Sequence, residues 1–350
     1  MPQKRSTRPE PSSSSRPPGR IVGIEYDANR AHVTVIDPKG IPLHAEETPL
    51  RGAKGKAVLL KELAAAAREA IAETDDRGGR VLGVGVACPG LIDPVQGICR
   101  DYTLVRGFTD VPVRAILEQE LGFPVAIDHD MIALTMAEKE CGAARGIPDF
   151  ICLIIRAGVG LGMVAAGQIV RGTTNNSGEV GLTAFYAPGQ DRPVRFQEVT
   201  CEPRVLEQVR AALDKRKAPA LADILHHEGG DPTPVQVLRA AHAGDEALRK
   251  IVHDFGYLLG YGIGNLVNIL NPRTVVLHGR FFEDRDDLLF QAIEEGARVT
   301  AVPRLWEIVN LFPSPLGVYG GALGAALLAL DQHRHTHQAP GDSGIGEPVA

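Results

Sequence analysis

Two aspartates, Asp128 and Asp130, follow a short apolar run at residues 125–127. A third carboxylate, Glu179, stands between glycines in Ser177-Gly178-Glu179-Val180-Gly181. Between them, straight after the apolar run at residues 150–155, comes the turn Gly158-Val159-Gly160-Leu161-Gly162. A carboxylate at a strand end can hydrogen-bond a hydroxyl and take its proton in a transition state. Glycines let backbone approach a ligand more closely than a side chain would permit. Acids for hydroxyls beside a glycine turn are the parts of a small-molecule site.

The elements that must position these groups follow from periodicity. Residues 125–127 and 150–155 read as strands, and Ala133, Met136 and Ala137 fall at helical spacing in the run that ends near Gly142. Upstream, residues 21–28, 30–40 and 41–50 read as three successive strands, and residues 56–73 as an amphipathic helix with Leu60, Leu63, Ala64, Ala67 and Ile71 on one side. A strand at 80–87 and a helix at 112–121 complete an open mixed sheet with crossover helices. Downstream, helices are expected at 201–213, 218–226, 234–241, 253–270, 286–299 and 317–330, with strands at 274–277 and 306–311. Gly256, Gly260 and Gly264 give the 253–270 helix a face that admits another backbone. No repeat of 20 to 50 residues is visible.

At 350 residues the chain exceeds one ordinary core, which makes two α/β lobes the expectation. With 44% apolar and 23% charged residues it has the composition of a soluble protein, and a net charge of −6 gives no support for a broad nucleic-acid-binding face. No apolar run approaches the length of a membrane helix, and the N-terminus lacks the apolar core of a signal peptide. Five scattered cysteines without a CxxC pair argue for a reduced, cytoplasmic protein. Residues 1–20, rich in Ser, Pro and Arg, and residues 331–350 are expected to be disordered tails. Lobe boundaries are expected at 21–125 and 126–330, with the last helix free to return to the first lobe.

The order VGVGVACPGLIDPVQG, VAIDHDMIALTMAEKECGAARG, GVGLGMVAAGQIVRG, SGEVG and NLVNILNPRTVVLHG resembles the ROK family, which groups bacterial sugar kinases with sugar-responsive transcriptional repressors. The resemblance covers about residues 21–330. It implies the actin-like ATPase (ribonuclease H-like) fold, two α/β lobes around a central cleft. In the family's kinases a DxGGT-like turn cradles ATP phosphates; the residues in register here are Glu25, Tyr26, Asp27, Ala28 and Asn29, without either glycine. Like charges about 4 Å apart cost roughly 4 kcal/mol at an effective dielectric near 20, so Asp27 opposes phosphate at this turn. The second phosphate loop, GTGIGAG-like in kinases, reads Arg156-Ala157-Gly158-Val159-Gly160-Leu161-Gly162. Its hydroxyl donor is lost, and Arg156 offers a positive charge instead. The adenine-side Gly-Gly is half matched by His278-Gly279-Arg280. Gly158, Gly160, Gly162 and Gly279 are therefore the nucleotide candidates, and they compete with a plain role in tight turns.

The sugar side is better kept. Asp130 matches the family's general base, and Glu179 the glutamate that hydrogen-bonds sugar hydroxyls. His129 stands where kinases carry Asn, either as a sugar contact or as a packing residue. A further sugar-binding Glu falls at Gln197 or Glu198, and the sequence does not decide between them. The family's zinc ligands are absent: Leu182 replaces the His, and residues 187–197 hold no cysteine. No metal is expected, because Cys201 alone cannot build a tetrahedral site. The resulting reading is a sugar-binding, non-catalytic sensor or pseudokinase of the repressor type, lacking its helix-turn-helix. The alternative is an ATP- and Mg2+-dependent hexose kinase, for glucose or an N-acetyl amino sugar, with a divergent nucleotide site. Direct DNA binding is not supported, and the family implies a homo-oligomer, dimer or tetramer. A blander reading is a scaffold whose glycine-faced helix serves only to dimerise.

Overall fold

A computed structural model describes residues 19–75, 79–186 and 191–337. The first half of the chain forms β1 (Arg20–Tyr26), β2 (Arg30–Ile36), β3 (Pro42–Pro49), α1 (Lys56–Glu73) and β4 (Val81–Cys88). After them come β5 (Leu91–Asp93), β6 (Ile98–Asp101), β7 (Thr109–Val111), α2 (Val113–Leu121), β8 (Val125–His129) and α3 (Asp130–Cys141). The main sheet has the order β3-β2-β1-β4-β8, antiparallel on the β2–β3 side and parallel through β1, β4 and β8. β5, β6 and β7 make a small separate sheet that periodicity alone did not reveal.

The second half repeats this plan. It contains β9 (Phe150–Ile155), β10 (Val159–Ala165), β11 (Gln168–Ile169) and a short pair, β12 (Ala184–Phe185) with β13 (Val194–Arg195). The helices α4 (Phe196–Thr200), α5 (Glu202–Asp214), α6 (Pro219–Glu228), α7 (Pro234–His242) and α8 (Glu246–Leu270) come next. The chain continues through β14 (Thr274–His278), α9 (Asp287–Thr300), α10 (Pro303–Trp306), β15 (Asn310–Pro313) and α11 (Gly320–His337). The sheet order β11-β10-β9-β14-β15 has the same senses as the first, with β9, β14 and β15 parallel. A duplication invisible as sequence repeat is therefore plain in topology. Each sheet has its own apolar core.

The central strands read as unbroken apolar runs because both their faces are covered; all of β1 and all of β9 are buried. α11 covers the first sheet. It can do so because small residues meet small residues: a Cβ on Gly23 would lie 1.9 Å from the Ala322 carbonyl oxygen, and one on Gly85 would lie 1.8 Å from that of Ala325. The last helix thus returns to the first sheet and to α3.

Several expectations need correction, among them the helix expected from residue 253, which already begins at Glu246. Arg20, placed in the N-terminal tail, is buried at the start of β1, where its guanidinium bonds Thr74 Oγ1 and Asp75, each at 2.9 Å. The expected C-terminal tail is helical as far as His337, helped by Arg334 donating to the Pro38 carbonyl at 2.7 Å. The strand expected at 306–311 begins at Asn310 instead, since Pro303 opens a helical turn before it. The remaining tail residues, 1–18 and 338–350, lie outside the described residues. The glycine face of α8 also has an occupant. Gly256, Gly260 and Gly264 pack on α9, with would-be Cβ atoms 1.9 to 2.8 Å from Ile293, Leu289 and Thr300 atoms, so this face is not a free dimerisation surface. Among the described residues no helix is long and apolar enough to cross a membrane.

Candidate functional site

Parallel strands deliver their C-terminal ends to one side of a sheet, where α/β proteins place ligands. Here those ends carry the polar groups. In the first sheet Glu25, Ala87 and Asp128 lie in one cross-strand row, and His129 closes β8. In the second, Arg156 follows β9 and His278 closes β14.

The sugar candidates cluster where β8 meets α3. His129 is the N-cap of α3, and its Nδ1 accepts from the Met131 amide at 3.3 Å. The other ring nitrogen, Nε2, faces Glu179 Oε1 at 3.9 Å. Asp130 is the first residue of α3; its Oδ1 accepts from the same amide at 2.8 Å and lies 3.2 Å from His129 Nδ1. Asp130 Oδ2 has no hydrogen-bond partner among the described residues and stays available for a ligand hydroxyl. Glu179 is half exposed, and apart from His129 its carboxylate has no charged or hydrogen-bonded partner among the described residues. Gly178 makes its placement possible: φ is +96°, and a Cβ there would lie 1.9 Å from the Leu161 carbonyl. Asp128 is used differently. Its Oδ1 accepts from the His129 amide at 2.9 Å and its Oδ2 from Arg171 Nη1 at 2.6 Å, so it braces rather than binds.

Gln197 and Glu198 part company. The Gln197 amide oxygen is wedged beside the glycine turn, 3.2 Å from a would-be Cβ on Gly158 and 2.8 Å from one on Gly181. Glu198 points outward, exposed, and its carboxylate accepts from the Arg195 amide at 3.3 Å to cap its own short helix. Of the pair, only Gln197 is next to the cleft turn.

The nucleotide candidates are drawn into packing. Gly158 lies in the turn that follows β9, but Gly160 and Gly162 lie inside β10 on one face. Their missing side chains make room for Met131 and Thr135 of α3, whose Sδ and Oγ1 would be 2.3 and 1.7 Å from added Cβ atoms. Gly279, at φ +148°, lets the end of β14 close on the end of β9, 2.3 Å from a would-be Cβ to the Ile155 carbonyl. At the first turn, Asp27 Oδ1 accepts from the Asn29 and Arg30 amides at 2.6 and 3.0 Å. The amides that a phosphate would need are already occupied by the turn's own carboxylate.

The largest departure lies between the two turns. The Arg156 guanidinium bonds the Glu25 carboxylate, through Nη1 to Oε1 and through Nη2 to Oε2 at 3.4 Å, and Nη2 also donates to His278 Nε2 at 2.9 Å. Glu25 is buried at the first turn of α11, where Gly321 leaves room for its carboxylate. Burial opposes the Arg156 charge, and Glu25 more than offsets it, with Asp130 and Asp27 adding to the same field. At the adenine side, Arg280 makes a forked pair with Glu202, Nε lying 3.1 Å from both carboxylate oxygens. The groups that the family pattern offers to ATP and magnesium are thus engaged within the chain, Glu25 by Arg156 and the turn amides by Asp27. The residues present do not fit the family's zinc, because Leu182 is exposed and unable to ligate, and no group of three or more His, Cys, Asp or Glu could hold a metal among the described residues.

Sequence reasoning met Glu25, Arg156 and His278 only as three separate departures from a family pattern. Their signal was complementarity, an acid, a cation and an acceptor spread over three separate motifs. Arg171 and Asn176 were missed outright, having no motif of their own.

His278 yields a pH prediction. Burial first, then the Arg156 charge, then His32, push its pKa well below 6.5. The unfolded chain takes up a proton near the ordinary value while the folded chain resists it. The neutral imidazole's contribution is thus complete above about pH 6.5 and falls away as pH drops below it. Urea midpoints taken between about pH 7.5 and pH 5.5 should fall less steeply in His278→Gln, which keeps an acceptor but cannot titrate. Equal slopes in the two proteins would contradict this role.

Comparison with known proteins agrees with this architecture. A sequence profile of the ROK family matches residues 21–332. A glucokinase of Halalkalibacterium halodurans is 26% identical over 321 residues, covering 89% of this chain and 95% of that protein. The DNA-binding transcriptional repressor Mlc of Escherichia coli is 28% identical over 254 residues, 71% of this chain but 61% of the repressor. Among solved structures, the ROK hexokinase of Thermus thermophilus superposes with a TM-score of 0.69 at 26% identity, covering 90% of this chain and 99% of that one. A ROK glucokinase of Streptomyces griseus, in complex with glucose and AMPPNP, superposes with a TM-score of 0.75 at 20% identity, covering 89% of this chain and all of that one, a likeness of fold. The two matched sheets and the cleft at their strand ends are the actin-like ATPase fold, and this chain belongs to the ROK family.

Proposed function

We propose that this protein binds a sugar between His129, Asp130 and Glu179 and senses it without transferring phosphate. One observation carries the reading: Arg156 is bonded to Glu25 and His278 in the space between the two phosphate turns. Asp27, folded onto its own turn amides, supports it. The free oxygen of Asp130 and the open carboxylate of Glu179 supply acceptors for hydroxyls, and the His129 ring stands between them. The likeness to Mlc supports regulation as the use of such a site.

The second reading is an ATP-dependent hexose kinase. It is favoured by the near full-length match to a glucokinase and by Asp130 standing where a general base would. Thermal unfolding with glucose, N-acetylglucosamine, xylose and Mg-ATP separates the two. At about 100 times its Kd a ligand adds about 2.7 kcal/mol, a shift of several degrees. A sugar should give this shift and Mg-ATP none, and Asp130→Ala and Glu179→Ala should each remove it. Turnover of any hexose with Mg-ATP would overturn the non-catalytic reading. An unchanged sugar shift in both variants would remove the sugar site from this place.

A further inference from the structure

We propose that Arg156 closes the cleft in place of a nucleotide and so sets the width of the sugar gap, making it a positioning residue for recognition. The inference rests on the sugar reading for its ligand, but its structural part stands alone. Glu25 belongs to the first sheet and Arg156 directly follows β9 of the second, so their pair ties the two together at the cleft floor. Each end of that tie runs directly into one wall of the sugar gap. On one side Glu25 shares a cross-strand row with Asp128, next to His129 and Asp130. On the other, Arg156 opens the β9–β10 turn, and β10 holds the glutamate turn through the Leu161 amide, which donates to the Gly178 carbonyl at 2.9 Å. The 3.9 Å separation between His129 Nε2 and Glu179 Oε1 lies along the seam that Arg156 bridges, a seam where Met131 and Thr135 of α3 also pack on Gly160 and Gly162 of β10.

Two further ties act at the rim. Arg171 reaches Asp128 at 2.6 Å, and Asn176 exchanges hydrogen bonds with the Ile92 backbone at 2.8 and 3.1 Å. They anchor the loop leading to Glu179, while the floor is set by Arg156. Lysine cannot replace it, since one ammonium cannot engage a carboxylate and an imidazole in a planar fork. A site held closed by the chain itself binds sugar without the ordering cost of closure and without nucleotide.

The test uses the full chain without ligand first. In Arg156→Ala, amide exchange at residues 29–30 and 178–180 should quicken about tenfold, and X-ray scattering should show a larger radius of gyration. Millimolar ethylguanidinium, which refills the vacated guanidinium site, should reverse both. Sugar affinity should fall about tenfold in the same variant and recover with ethylguanidinium, while Arg156→Lys should recover little. Should Arg156→Ala not fold, Glu25→Gln breaks the same tie with a near-isosteric side chain and is expected to quicken exchange alike. Wild-type exchange and scattering in the folded variant would overturn the proposal. A wild-type protein that binds no sugar would defeat the sugar reading alone, with exchange and scattering still deciding the latch.

Discussion

Glu25→Ala should lower the unfolding free energy by about 3 kcal/mol, because it strands a guanidinium in a site built around its counter-charge. The expected loss sits at the low end for a broken buried pair, since 34% of the Arg156 side chain reaches solvent whereas Glu25 keeps only 3% exposed. His278 cannot compensate, being a neutral acceptor pushed further from protonation by the same arginine. Asp130 and Asp27 contribute field but no bond. The double variant Glu25→Ala, Arg156→Ala should be more stable than Glu25→Ala alone, since removing both charges removes the desolvation penalty along with the attraction. Urea denaturation of the three proteins checks this. A single variant within about 0.5 kcal/mol of wild type, the range of an ordinary surface change, would mean that the pair is not the brace described here.

Much of this site was legible in the sequence, and the part that was not has a physical reason. Asp130 and Glu179 announce themselves through local context, an acid at the end of an apolar run and an acid between glycines. The helix at Lys56–Glu73 is equally local, its apolar side repeating at helical spacing, and its bounds coincide with the expected ones. Order beyond the expected ends, at Arg20 and across residues 331–337, depends on partners far away in the chain: Thr74 and Asp75 for one, Pro38 for the other. The brace belongs to this class, since Glu25 and Arg156 are 131 residues apart and the sheets alone bring them together. Gln197 against Glu198 turns on a single helical step of orientation, which spacing does not fix. Gly160 and Gly162 mislead for the opposite reason. A glycine that admits a phosphate and one that admits a neighbouring methionine look alike until the neighbour is seen.

Gly260→Leu should cost about 3 kcal/mol, the upper range for overpacking, because its Cβ alone would lie 1.9 Å from the Ile293 carbonyl oxygen. Backbone cannot turn aside as a side chain can, so α8 and α9 must separate. The contact is reciprocal: a Cβ on Gly296 of α9 would lie 1.9 Å from the Tyr257 carbonyl of α8. A shift of α8 also reaches the site. Gly262 faces Phe196, 2.3 Å from a would-be Cβ to the ring, and Phe196 opens the short helix that carries Gln197 to the glycine turn. Sugar affinity should therefore weaken together with stability. Unfolding followed at two protein concentrations gives the decisive comparison. If α9 is the partner of the glycine face, the loss is the same at both, because the contact is within one chain. If the face instead joined two copies, the wild-type midpoint would rise with concentration and the substitution would abolish that rise.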